Sequence, residues 1–257
     1  GKKMVDEENK TENASAEEKS DDGEREIFDN ENKLTEKFTL VDGEKEGEAF
    51  IYEEEGWVSN KVHFNKGILH GESVLFSGEN KISEKVNYDN GVLDGKYEKF
   101  DDEEKILERG SYCAGKLDGE SISYEEGVVS QIIHYKDGQL NGEMVLFDNE
   151  EISSKINFVK GKLEGPAFSY INGQLKVKWF HKKGKRHGEY IVYGENGEPI
   201  SKSGFKDGKT EGESLFLDEE GEIIQRSFFK NGKLEGEFFE YYSDGTPRTK
   251  AFYKNNK

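Results

Sequence analysis

Long apolar runs are missing from this chain. No stretch approaches the roughly 18 residues needed for a membrane-crossing helix. Cysteine is nearly absent too. Cys113 stands alone and cannot close an internal disulfide, so cysteine usage leaves the redox compartment open. Proline is scarce, with three in 257 residues, and none interrupts the chain before Pro166. Hydrophobic residues make up 32% against 36% charged, with a net charge of −18, a balance that by itself reads as disorder. No Ser–His–Asp or Cys–His arrangement is recognisable, and no histidine or cysteine spacing matches a zinc site. The chain opens on Gly1 without an initiator methionine, as expected either of an expressed segment or of a processed product.

What is plentiful is aromatic side chains, 12 Tyr and 17 Phe, and glycine, 30 residues. The glycines are ordered. One set stands at Gly43, Gly67, Gly91, Gly115, Gly138, Gly161, Gly184, Gly208 and Gly232, at intervals of 24, 24, 24, 23, 23, 23, 24 and 24 residues. A second glycine follows each by four positions, from Gly47 to Gly236. Nine copies in register make the chain an array, in which each unit buries its few aromatics against its neighbours.

Within a unit, an aromatic stands five residues after the second glycine: Tyr52, Phe76, Phe100, Tyr124, Phe147, Tyr170, Tyr193 and Tyr241, with Leu217 the exception. An apolar residue usually stands two positions earlier, as at Phe50, Val74 and Phe239. A second period-two pair precedes the first glycine, as in Val62 with Phe64 and Val86 with Tyr88. Spacing of two is strand spacing, and short polar stretches such as "DDEEK" and "SDG" read as hairpin tips. The 23-residue units lose their residue at this tip, where length is tolerated. The paired glycines mark the other connection, where the backbone turns tightly and calls for positive φ. Each unit is therefore one β-hairpin. The fold expected is all-β: an elongated, single-layer, twisted antiparallel sheet of about nine to ten tandem hairpins, roughly 90 Å long at ~4.8 Å per strand. The repeated aromatics are expected to line one face. Residues 26–257 form the array, with a half-hairpin at its start and a truncated last strand as caps. Residues 1–25, acidic and without an aromatic, read as a disordered tether.

The stretches "FNKGILHGESVLF" and "FKNGKLEGEFFEYY" resemble the MORN repeat, in the variant found in bacterial proteins similar to the YwqK antitoxin. The resemblance covers about residues 26–257. It implies stacked hairpins and an interaction role, and does not imply an enzyme. The chain departs from that pattern at Lys96 and Pro166, where the usual residue is Glu, and at His181, which takes an aromatic place.

Chemistry-bearing residues are few. His70 and His187 precede the second glycine of their units, where other units have Glu, Asp or Asn, and read as turn residues standing in for acids. Cys113 reads as an incidental thiol. No cofactor and no metal are expected. One segment breaks the charge pattern: "KVKWFHKKGKRHG", Lys176 to Gly188, has six basic residues and no acid. Lys176, Lys178, Trp179, Lys182, Lys183, Lys185 and Arg186 are thus candidate contacts for an anionic partner or a docking site for another acidic protein. The net charge argues against nucleic acid and against broad docking on anionic lipid. The function expected is a non-enzymatic protein-interaction scaffold. The alternatives are an antitoxin that neutralises a basic toxin and a repeat protein of the cell envelope or surface, held by a tether.

Overall fold

The computed structural model describes residues 22–257. In it the first glycine of each pair is the second residue of a two-residue turn. Asp42 and Gly43 have φ of 52° and 78°, and Asn231 and Gly232 of 50° and 79°. Positive φ at both central residues defines the type I′ turn, whose twist suits the right-handed twist of the strands it joins. Lys66, Ala114, Lys160 and Lys183 hold the first turn position in the same conformation, at φ of 47° to 51°. Lys and Ala are less at ease there than Gly, which has no Cβ, or than Asn and Asp, whose short polar side chains bond locally.

The strands pair antiparallel with their sequence neighbours, from Gly23–Phe28 against Leu34–Val41 to Gly236–Tyr241 against Pro247–Tyr253. Among the described residues the one sheet has 26 strand segments and no helix. Six segments are two residues long and lead, after one residue, into the next strand. They are the opening steps of those strands, so the sheet amounts to ten hairpins side by side. The first hairpin is whole rather than half, and its strand starts at Gly23, ahead of the boundary expected at residue 26. The last strand, Pro247–Tyr253, is not truncated: Asn255 and Asn256 follow it with φ of 52° and 65°, the turn geometry of the other units. Of the tether expected over residues 1–25, residues 1–21 lie outside the described residues and the last three belong to the first strand.

Successive turns are laced together along one edge. The N–H of Gly91 donates to the carbonyl of Leu69 at 2.7 Å, that of Gly115 to Leu93 at 2.8 Å, and that of Gly232 to Thr210 at 2.8 Å. The residue before the second glycine adds a side-chain bond to the following turn. Asp94 Oδ2 accepts from Ala114 N–H at 2.9 Å, Glu164 Oε2 from Lys183 at 2.7 Å, Glu211 Oε2 from Asn231 at 2.8 Å and Glu235 Oε2 from Asn255 at 2.9 Å. This is why an acid or Asn recurs there. Of the two histidines, His187 takes the acid's place, its Nδ1 facing the N–H of Asp207 at 3.5 Å, whereas His70 Nδ1 meets no turn N–H and lies 3.3 Å from the Asp89 carboxylate. The second glycine occupies a kink. Phe64 faces Leu69 while Lys61 faces Val74, so the glycine strand carries two extra residues there, with φ of 90° at Gly71.

The hairpin tips bring a second irregularity. In the second hairpin Ile51 faces Asn60 but Tyr52 faces Val58, which leaves Ser59 as an extra residue. The same one-residue bulge recurs beside the other tips, at Ser83 and Lys176 among others. At Ser59 and Ser83 the hydroxyl donates to the carbonyls of Ile51 and Leu75 at 3.3 and 3.2 Å. The bulge inverts the parity of the strand. Cross-strand partners share a face. Phe50 and Tyr52 therefore face Lys61 and Val58 on one side of the sheet, while Val62 and Phe64 face Ala49 and Gly47 on the other. The expectation of a single aromatic face is thus corrected: the two aromatic rows lie on opposite faces, because one extra residue per hairpin flips every side chain beyond it.

The best-filled row lies on the Val62 face, where volume is traded across the hairpin; Val74, Val145 and Ile191 are buried on the other face, opposite Lys85, Lys155 and Lys202. Ala49 pairs with Val62, Ser121 with Ile133 and Ala167 with Trp179, whereas Tyr97 pairs with Gly110 and Phe238 with Ala251. Tyr97 is 1% exposed, and a Cβ on Gly110 would come within 2.7 Å of its ring. Small-against-large pairing keeps one layer closely filled without a second.

Two substitutions test the edge. Ala114→Asn should stabilise the array by roughly 0.5–1 kcal/mol, since Asn tolerates the left-handed conformation, read as a raised denaturation midpoint. Glu211→Ala should cost about 1 kcal/mol and speed hydrogen exchange at the Asn231 amide more than at Gly91. Unchanged exchange at Asn231 would mean that the carboxylate does not hold the turn.

Candidate interaction surfaces

The sheet offers two faces and two edges. The face that carries the tip aromatics also carries a basic ladder, one cation per hairpin: Lys37, Lys61, Lys85, Arg109, Lys155, Lys178, Lys202, Arg226 and Lys250, with Ile132 in the remaining place. Several rungs are paired to acids on the adjoining strand: Lys37 to Glu24 at 2.7 Å, Lys61 to Glu48 at 2.6 Å, Arg226 to Glu213 at 3.0 Å and Lys250 to Glu237 at 3.2 Å. Others lie over rings, Lys85 on Phe100 at 5.8 Å and Arg109 on Tyr124 at 5.7 Å from the centroid. Tyr52, Phe76, Phe100, Tyr124, Phe147, Tyr170, Tyr193 and Tyr241 are all half-buried on this face, packed beside aliphatic or proline partners such as Val58, Ile82 and Pro199. The ladder escaped the sequence reading, although its signal was present: a Lys or Arg three residues before the aromatic that precedes each turn.

The seven candidate residues of the basic segment do not form one patch. Lys176 is the bulge residue at a tip, largely covered, with its ammonium 3.3 Å from Glu195 and 3.2 Å from Gln174. Lys178 is a rung of the ladder and lies over Phe180 at 5.3 Å. Trp179 points to the opposite face, against Ala167. Arg186 is on that face too, stacked over Tyr190 at 5.0 Å and Phe205 at 5.7 Å. It fills the place that Leu69 or Leu93 fills elsewhere. Only Lys182, Lys183 and Lys185 come together, around the turn at Gly184.

His181 sits at the unusual junction, facing Gly165 on one side and Arg186 on the other, with the Trp179 ring 6.2 Å away. Burial, and then the Arg186 charge, hold its imidazole below the ordinary value of 6.5. At the tips, acids serve their own backbone. Asp101 Oδ1 accepts the N–H groups of Glu103 and Lys105, both at 2.9 Å, and Asp218 Oδ1 those of Glu220 and Glu222. Among the described residues no group of three His, Cys, Asp or Glu side chains converges as a metal site would require. Cys113 is exposed.

This geometry, a glycine-paired hairpin stacked edge to edge, meets a known sequence pattern. The family model described as the MORN repeat variant matches residues 186–207 and 234–255. Those two stretches are MORN-variant repeats. The other hairpins share the glycine register, turn conformation and pairing of those two stretches. No curated protein matches the chain. Two solved structures share low similarity. The pore of the Photorhabdus luminescens Tc holotoxin with the TccC3-D651A mutation is 10% identical, over 90% of this chain and 15% of that one, at a TM-score of 0.22. TcdB2–TccC3 without its hypervariable C-terminal region is 11% identical, over 91% and 15%, at 0.18. The chain thus spans about 15% of the length of those chains, and scores this low speak to neither fold nor function.

The seventh hairpin gives a pH prediction. The folded state holds His181 below its unfolded value of 6.5, so the unfolded chain takes up the proton first. Stability is unaffected above that value and falls as pH drops from 6.5 toward the lower folded value. His181→Phe restores the aromatic of the other units. It should raise the melting temperature and flatten its decline between about pH 7 and pH 5. A decline equally steep in both proteins would remove His181 as its source.

Proposed function

We propose that the chain is a non-enzymatic scaffold for protein–protein interaction. The observation that carries this reading is the single layer: both faces and both edges are reachable along a sheet whose surface features recur once per hairpin. MORN repeats are in general interaction repeats, which supports the same reading. Catalysis in a bound substrate needs polar groups that converge in a concave site. The rows of a flat array run parallel instead, each group facing its copy in the next unit at ~9.6 Å. A partner that binds such a surface meets the same chemistry several times, and weak contacts then add as in any multivalent pairing. No helix of the described residues is long and apolar enough to cross a membrane.

The acidic tips, with "DDEEK" and "DEEGE" on the edge opposite the turns, favour a second reading in which the chain neutralises a basic toxin.

Cross-linking of the array to a partner captured from its own source tests the scaffold. Contacts should spread over three or more consecutive units and survive any single-unit charge reversal, such as Lys182→Glu with Lys183→Glu and Lys185→Glu. Contacts confined to one unit, and abolished by that triple change, would replace the scaffold with a single docking site.

A further inference from the structure

The turn edge changes character along the chain. The residues that flank each type I′ turn face each other across the hairpin. In the early units they are Asn65 with Ile68 and Asp89 with Val92. In three consecutive later units they are lysine against lysine: Lys182 with Lys185, Lys206 with Lys209, and Lys230 with Lys233. Like charges directly opposite each other destabilise a strand pair. All six side chains are exposed, and among the described residues none takes part in an ion pair. In a chain with 55 acidic residues against 37 Lys and Arg, unpaired lysines grouped in this way need a reason. Two acids on this edge are engaged elsewhere: Glu164 and Glu211 hold the N–H groups of Lys183 and Asn231.

We infer that this lysine comb is a docking edge for an extended acidic polypeptide segment. The inference rests on the scaffold reading and gives its partner a chemistry. Three pairs at ~9.6 Å intervals span about 19 Å, a length covered by roughly six residues of extended chain at ~3.1 Å each. An acidic side chain at every third residue then meets one lysine pair per step. The charge density favours a polypeptide over nucleic acid. Cap carboxylates and Asp207 lie between the pairs, so the edge offers only one or two net positive charges per step. A DNA duplex carries one charge per ~1.7 Å and would meet those carboxylates. The comb is also all lysine, without the guanidinium fork that suits phosphate.

The test uses the full chain and a fluorescent peptide of about ten residues with Glu at every third position, long enough to cross the comb. Fluorescence anisotropy should show saturable binding that weakens with salt. Replacing Lys206, Lys209, Lys230 and Lys233 by Gln should weaken it by about tenfold or more, the sum of four exposed ion pairs. The same variant should melt at an equal or higher temperature, because it removes two repulsive pairs. Lys85→Gln with Lys155→Gln, on the basic ladder of the face, should leave peptide binding unchanged. Absence of peptide binding, or equal binding by the comb variant, overturns the inference. So does tighter binding of single-stranded DNA or of anionic vesicles at the same salt, lost in the same variant. A cross-linked partner that spans several units and is kept by the comb variant would overturn the comb while leaving the scaffold standing.

Discussion

Everything in this sheet depends on how one hairpin is fastened to the next. The fastening is a pair of hydrogen bonds at most of the type I′ turns. The glycine N–H reaches back to a carbonyl of the previous unit, and the neighbouring N–H is met by that unit's acid, Asn or His. A hairpin alone is marginal in water, since it has only a thin row of apolar side chains on each face and two open edges. Joined at the turn edge, each unit lends its next neighbour both backbone partners and one wall of its core. Stability in such an array is close to a sum over units and junctions. The G-x-x-acid-G spacing is then a fastening device, which explains why it recurs while the tips around it vary in length.

The same logic decides what a single layer can bury. Ten hairpins without a second layer have no interior in the ordinary sense. Closure comes from trading volume within each hairpin, Tyr97 against Gly110 and Ala167 against Trp179, so that large side chains roof small ones. The junction of the seventh and eighth units departs from this scheme. His181 and Arg186 replace the aromatic and the leucine, and Arg186 recovers contact by stacking on Tyr190 and Phe205. A cation over two rings returns part of what the lost leucine contributed.

Much of this was legible in the sequence. The glycine period marked the turns, period-two aromatics marked the strands, and His187 could be placed as a stand-in for an acid. The facing of the aromatics was not legible. Spacing of two assigns side chains correctly within a strand, but a face is shared between strands only when the register across the tip is known. The Ser59 bulge shifts that register by one, and one residue exchanges the faces. A serine or threonine recurs at this place, as Thr35, Ser59, Ser83, Ser130 and Ser153, yet nothing local distinguishes a bulge serine from a tip serine. The basic segment was misjudged for a related reason. Residues adjacent in sequence alternate between faces and run from tip to turn, so "KVKWFHKK" scatters its charges over the tip edge, both faces and the turn edge.

Net charge is the last quantity that the fold redistributes. A value of −18 describes the chain, but no ligand meets the chain as a point. Tips and turns stand at opposite edges, separated by strands of eight to ten residues in the middle of the array. At ~3.3 Å per residue that is about 30 Å, several times the ~8 Å over which charges are felt at physiological salt. The acidic tips therefore do little to repel an anion at the turn edge, and an argument from net charge against anionic partners loses its force there. What discriminates among such partners is local: the spacing of the lysine pairs, the carboxylates set between them, and the ~9.6 Å step that two strands impose on whatever lies along the edge.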